Sequence, residues 1–279
     1  VNSRIGKSNG AALLLVLMIT AAMASMMIFM SEKGNNTANM ANMIKQHNRA
    51  KIAVDNAQSE IIYELMTTPL GILGPNSRYP GIELIDPSLK NFKGEVTKRG
   101  DLHVRAQDLS GLVSLAPLNE GAFKRLLLHY GTDSSDINQI MDRFDDWQDI
   151  DNFRRLEGAE KGDYALPYLP NNTALQTVEE LRYILQNDNL FEQIQPFLVL
   201  RVNPYIVRQF TPKSLYSAFG FEGQTPSQDE GEGGVDSIAS GKLSIQITFE
   251  GPVNYSKRFN FERGPGLRPY FVSKEEVVN

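Results

Sequence analysis

Residues Ala11 to Met30 read AALLLVLMITAAMASMMIFM, twenty positions without one charged side chain. A helix rises ~1.5 Å per residue, so this run covers roughly the 30 Å hydrocarbon core of a bilayer. Its only polar side chains, Thr20 and Ser25, carry hydroxyls that a helix pairs with its own backbone. Arg4 and Lys7 precede the run, whereas Glu32 and Lys33 follow it and cancel. That asymmetry predicts a single membrane pass, with the N-terminus cytoplasmic and the bulk of the chain on the far side.

Three processing schemes fit this segment. A cleaved secretory signal has an apolar core of ~7–15 residues and then an A-x-A-like site. The run here is longer, although Ala22-Met23-Ala24 imitates such a site. A plain signal anchor requires only the run itself. A prepilin leader is a short basic peptide cut directly before an apolar helix, and Gly10 followed by Ala11 has that arrangement.

The chain of 279 residues leaves room for one or two domains beyond this anchor. The formal net charge is −5, and the part after Arg4 and Lys7 is more acidic still, which argues against nucleic acid as a partner. With no cysteine, disulfides and thiol chemistry are excluded.

Glu32 to Thr68 lacks proline and reads as a helix continuing the membrane segment. Ala53, Ala57, Ile61 and Leu65 recur at i+4, with Val54, Ile62 and Met66 widening the stripe. Pro69 and Gly71 end it. Leu70 to Asp86 is loop-like. Glu95 to Ala106 predicts a β-hairpin turning at Arg99-Gly100-Asp101. Segments 119–130, 134–147 and 177–194 then have helical apolar spacing, and Thr177 with Glu180 forms a capping box. Leu243, Ile245, Ile247 and Phe249 alternate with polar residues as a half-buried strand does. Tyr255 to Arg263 predicts a return strand and Pro269 to Val272 a third, while Gly220 to Gly234 reads as a glycine-rich loop.

Candidates for catalysis are few. His47, His103 and His129 sit on three separate segments without ligand spacing. Gly6-Lys7-Ser8-Asn9-Gly10 matches G-x-S-x-G only formally, because no strand precedes it. The densest chemistry lies between Asp133 and Asp163, where ten carboxylates face four basic residues. Such a density implies either a hard cation such as Ca²⁺, which takes six to eight oxygens, or a solvated acidic loop with Arg154 pairing one carboxylate. It is not an EF-hand, since Arg154 occupies the position that requires glycine.

Several motifs occur in one order: Asp108-Leu109-Ser110-Gly111-Leu112-Val113-Ser114-Leu115, Asp146-Trp147-Gln148-Asp149-Ile150-Asp151, Arg154, Gly158-Ala159-Glu160, and Val178-Glu179-Glu180-Leu181-Arg182. Together with the apolar N-terminus they resemble the K-type minor pseudopilin of the type II secretion system. The resemblance implies an α+β fold, in which a long transmembrane and stem helix carries a pseudopilin α/β body with an antiparallel sheet and an inserted all-helical domain. The corresponding division is leader 1–10, membrane helix 11–30, stem 31–68, body 69–106 and 199–279, and insertion 107–198.

The resemblance also implies a prepilin peptidase that cuts between Gly10 and Ala11 and methylates Ala11. It implies structural calcium on Asp146, Asp149, Asp151, Glu157 and Glu160. Most pseudopilins carry Glu at the fifth residue after the cut, where this chain has Leu15; K-type members also lack that acid, in keeping with a place at the filament tip. The implied role is a non-enzymatic cap of the periplasmic pseudopilus, held with I- and J-type minor pseudopilins on the bacterial inner membrane and within reach of secreted proteins. The expected partner-facing residues are Leu15, Ala53, Ala57, Ile61 and Leu65; the alternative for the stem stripe is packing on the chain's own sheet, and both can hold because one helix has several faces. A minor pilin of a type IV pilus and a membrane-anchored periplasmic metal-dependent enzyme are the alternatives.

Overall fold

The computed structural model describes residues 9–75, 87–200, 202, 205–222, 239–263 and 270–278. Most of the expected leader, the loop over 76–86 and the glycine-rich segment from 223 onward lie outside the described residues.

Helix α1 (Asn9–Thr67) runs for 59 residues, ~90 Å at the usual helical rise. It is long and apolar enough to cross a membrane, with a mean hydropathy of 2.5 over its most apolar 18-residue window. Thr20 and Ser25 donate to the carbonyls of Leu17 and Ala21 at 3.0 Å, so neither hydroxyl is left unpaired in the apolar run. From Ala11 to Arg49 almost every side chain is exposed. Further along, Ala50, Val54, Ala57, Ile61 and Leu65 form one buried face at helical spacing.

The chain continues through α2 (Leu70–Leu73), the hairpin β1 (Lys93–Arg99) and β2 (Leu102–Asp108), and the short β3 (Val113–Ser114). Next come α3 (Glu120–His129), α4 (Ser134–Gln148), α5 (Leu181–Leu185), α6 (Asp188–Ile194), β4 (Leu198–Val199) and α7 (Tyr216–Phe219). Strands β5 (Lys242–Phe249), β6 (Tyr255–Glu262) and β7 (Phe271–Val278) finish it. The main sheet is antiparallel, in the order β1-β2-β5-β6-β7. In the β1–β2 turn Gly100 takes φ +59°, as a two-residue hairpin turn of mirror-image type requires.

Two main apolar cores result. One packs α1 against the sheet, with Ile61 and Leu65 meeting Ile245, Ile247, Phe259 and Phe261. The other lies within the helical unit and centres on Phe123, Phe144, Trp147, Ile184 and Phe191. The stripe expected to face a partner is therefore turned inward. Ala57, Ile61 and Leu65 are buried in this chain's own core and Ala53 is half-buried, because the i+4 stripe is the surface that the sheet's apolar face needs to cover.

The helical unit is inserted between the neighbouring strands β2 and β5, where Asp108 pairs with Leu243. The buried Asp108 carboxylate ties both crossings. Its Oδ1 accepts from the Ser110 amide (2.8 Å) and hydroxyl (2.7 Å), and its Oδ2 accepts from the Ser240 amide at 2.8 Å. Gly111 packs against the Phe210 backbone too closely for any Cβ. The Asp108-to-Gly111 motif is thus the junction of sheet and insertion.

The insertion is not purely helical. Strands β3 and β4 pair in parallel, and Leu115 N–H donates to Val199 at 2.9 Å, closing the unit's two ends together. The helical spacing over 177–194 is also split. Gln186 adopts a left-handed φ of 52°, and Asn187 starts α6 by accepting from Leu190 N–H at 3.0 Å. Asn119 caps α3 in the same way, through Ala122 N–H at 3.1 Å. Asn119→Ala is expected to lower unfolding stability by ~1 kcal/mol in urea titration, with an unchanged m-value.

Candidate metal centre

Helix α4 positions the centre. Ile137, Ile140, Met141, Phe144 and Trp147 are buried at helical spacing, which fixes the helix's rotation. Trp147 is held most firmly: its ring stacks on Tyr183 with centroids 6.1 Å apart and meets Tyr164 edge-on at 5.5 Å. Its Nε1 donates to Glu180 Oε2 at 3.2 Å, while Glu180 Oε1 accepts from the Thr177 amide at 3.0 Å. The expected capping box therefore also anchors the tryptophan.

With Trp147 fixed, its neighbour Asp146 is held at 0% exposure in the last turn. The helix ends at Gln148, and Asp149 leaves in extended conformation with ψ 166°. The chain swings out and returns so that Glu160, 5% exposed, faces both aspartates. One carboxylate oxygen from each of Asp146, Asp149 and Glu160 lies within 4.8 Å of the others. Gly158 is part of the return path, since a Cβ there would overlap Asp146 Oδ2. Asp142 and Asp163 hold the path from outside by accepting the amides of Glu157 (3.0 Å) and Glu160 (2.9 Å).

The charges in this centre are unevenly satisfied. Arg155 Nη1 donates at 2.7 Å to Asp146 Oδ1 and at 2.7 Å to Asp149 Oδ2, and its amide reaches Asp146 Oδ2 at 3.2 Å. Asp149 Oδ1, both Glu160 oxygens and the Tyr164 hydroxyl are buried without a hydrogen-bond partner among the described residues. Burial raises the Glu160 pKa above its ordinary value, and the charges of Asp146 and Asp149 add to the rise. The Lys161 amide opposes it, but outside hydrogen-bonding geometry. Burial also pushes Tyr164 up to about 12, helped by Asp146 and Glu160 against the lowering effect of Arg143.

A buried carboxylate oxygen without a partner is costly, and the one guanidinium here serves Asp146 and Asp149 but not Glu160. The free oxygens converge, and the donor set is oxygen only. This arrangement can hold a hard divalent cation, which would supply the missing positive charge.

The structure gathers three of the five carboxylates singled out from sequence and leaves two aside. Asp151 is exposed, and its Oδ1 accepts from the Phe153 amide at 2.8 Å. Glu157 is exposed as well. Both stand on the outward part of the loop, where carboxylates stay hydrated. The arginine in the centre is Arg155, whereas Arg154 reaches Asp163 at 3.6 Å. Arg155 is not singled out by the sequence, because two adjacent arginines give no sign of which one the loop turns inward. Far from this centre, Gly10 and Ala11 lie in the first turns of α1, and Leu15 is 59% exposed on it.

Residues 104–203 match the family model described as type II secretion system (T2SS), protein K. That segment contains β2 from Val104, the junction at Asp108, and the whole metal centre. The match covers this segment, about a third of the chain, and makes the segment similar to protein K. The chain's fold is similar to that of a chain in the crystal structure of the GspK-GspI-GspJ complex from the enterotoxigenic Escherichia coli type 2 secretion system. The two share 12% identity at a TM-score of 0.55, over 84% of this chain and 99% of that one. Comparison with curated protein sequences finds no match. Among the described residues, α1 is the one helix long and apolar enough to cross a membrane, which is consistent with a membrane anchor.

Proposed function

We propose that this protein is a minor pseudopilin that caps the tip of the periplasmic pseudopilus and helps to start its assembly for export across the outer membrane. The supporting observation is a protein K segment inserted into a sheet-and-helix body, from which an exposed apolar helix projects. In this reading 1–10 is the leader, 11–30 the membrane helix, 31–68 the stem, 69–106 and 199–279 the body, and 107–198 the insertion. The protein sits in the bacterial inner membrane with its bulk in the periplasm, does no catalysis and binds no nucleic acid. A bulky insertion suits a terminal subunit, on which no further subunit stacks.

Its partners are the I- and J-type pseudopilins, for which the complex named above is the precedent, and the tip stands where secreted proteins reach it. The partner-facing surface is the exposed length of α1 from Ala11 to Arg49, including Leu15, since Ala57, Ile61 and Leu65 are occupied internally. Leu15 in place of an acid removes a buried charge pairing on which subunits elsewhere in the filament depend. A structural calcium ion is held by Asp146, Asp149 and Glu160.

Processing offers a direct test. Co-expression with a prepilin peptidase is expected to yield a mature chain that begins at N-methylated Ala11, read by N-terminal sequencing and mass spectrometry. A mature end elsewhere would remove the pseudopilin reading. Deletion of the gene should abolish exoprotein release while surface pili persist; the reverse pattern would favour a type IV minor pilin.

A further inference from the structure

We propose that Arg155 is a built-in counter-ion that competes with the metal ion and so limits how tightly the centre binds it. This rests on the cation reading above. The arginine and the cation would draw on the same carboxylates. Both Asp146 oxygens accept from Arg155, one from Nη1 at 2.7 Å and the other from its amide at 3.2 Å. Asp149 is divided, with Oδ2 on Nη1 at 2.7 Å and Oδ1 buried and free. Of the three, only Glu160 has both oxygens unclaimed among the described residues.

A cation lying among these three groups meets Asp146 already neutralised, and it sits beside a positive charge bonded to two of its ligands. Like charges at such spacing repel strongly away from bulk water. The guanidinium has a way out. Its side chain is 40% exposed, and Asp145 Oδ2 stands 3.6 Å from Nε, ready to keep it once Nη1 lets go. The amide of Arg155 belongs to the backbone and remains on Asp146 throughout, so the loop stays anchored during the exchange. The metal-free centre is thereby partly neutralised by its own arginine, and the loaded one by the ion.

Arg155→Gln removes the charge and keeps the amide. Calcium affinity is measured by titration calorimetry on the full-length chain in detergent, alongside thermal melts in EDTA and in saturating Ca²⁺. The variant is expected to bind Ca²⁺ at least tenfold more tightly than wild type. Its melting temperature should fall in EDTA, and that deficit should vanish or reverse in Ca²⁺. Arg155→Lys, which keeps a charge without the fork, should bind with intermediate affinity.

Equal or weaker binding by Arg155→Gln, with wild type binding normally, would overturn the competition and leave Arg155 as a support for its carboxylates. A deficit of the same size in both melts would do the same. Binding by neither protein would remove the cation reading itself, and the competition with it. Binding by the variant alone supports the competition in its extreme form.

Discussion

Trp147→Ala is expected to cost ~3–5 kcal/mol of unfolding stability, the range for deleting a large buried aromatic side chain. The indole is fully buried, packed face-on against Tyr183 and edge-on against Tyr164. Its removal leaves a cavity at the centre of the helical core, and it also removes the donor to Glu180 Oε2. The damage should extend to the metal centre, because Trp147 sets the rotation that buries Asp146. Denaturant unfolding followed by far-UV circular dichroism would measure the loss. Trp147→Phe retains most of the packing but not the N–H, so it should lose less than half as much. A loss below ~1 kcal/mol for Trp147→Ala would mean that the helical core can close without the indole.

Calcium should raise the stability of the wild-type protein, and Glu160→Gln should abolish that rise. At free Ca²⁺ about a hundredfold above Kd, linkage gives ~2.7 kcal/mol, or roughly 5–10 °C in melting temperature for a protein of this size. Glu160 is the carboxylate of the triad with the least internal compensation, since neither of its buried oxygens has a partner among the described residues. In the absence of metal its burial and the two aspartates favour the protonated form, which is why its pKa is raised. Glutamine mimics that uncharged state. The variant is accordingly expected to melt at or above the wild-type temperature in EDTA while losing the calcium shift. These opposite signs distinguish a ligand from a structural side chain, whose loss would lower both melts. A calcium shift in Glu160→Gln as large as in wild type would place the ion elsewhere.

The sequence made much of this architecture readable because the relevant signals are local. The uncharged run from Ala11 to Met30, the alternation from Leu243 to Phe249 and the Gly100 turn each follow from one element's own periodicity or backbone needs. The helical spacing that buries Phe144 and Trp147 is equally local. Where the sequence leaves alternatives open, the deciding partner lies far along the chain. The Ala57-Ile61-Leu65 stripe announces an apolar face, but only the strands some 180 residues later determine that this chain covers it itself. Five carboxylates between Asp146 and Glu160 look alike in sequence, and the path of one loop separates Asp151 and Glu157 from the rest.

The sequence by itself therefore determined the long apolar N-terminal helix, the α+β class, and the presence of an acidic centre next to a tryptophan. Those properties come from solvation and from helical or strand repeat, which act over a few neighbouring residues. Tertiary structure alone decided that Asp108 ties the insertion to β5 and that Arg155 turns inward rather than Arg154. It also decided that Glu160 is buried with no hydrogen-bond partner for its carboxylate among the described residues. Burial and charge compensation depend on which distant groups the folded chain brings within a few ångströms, and no local pattern encodes that.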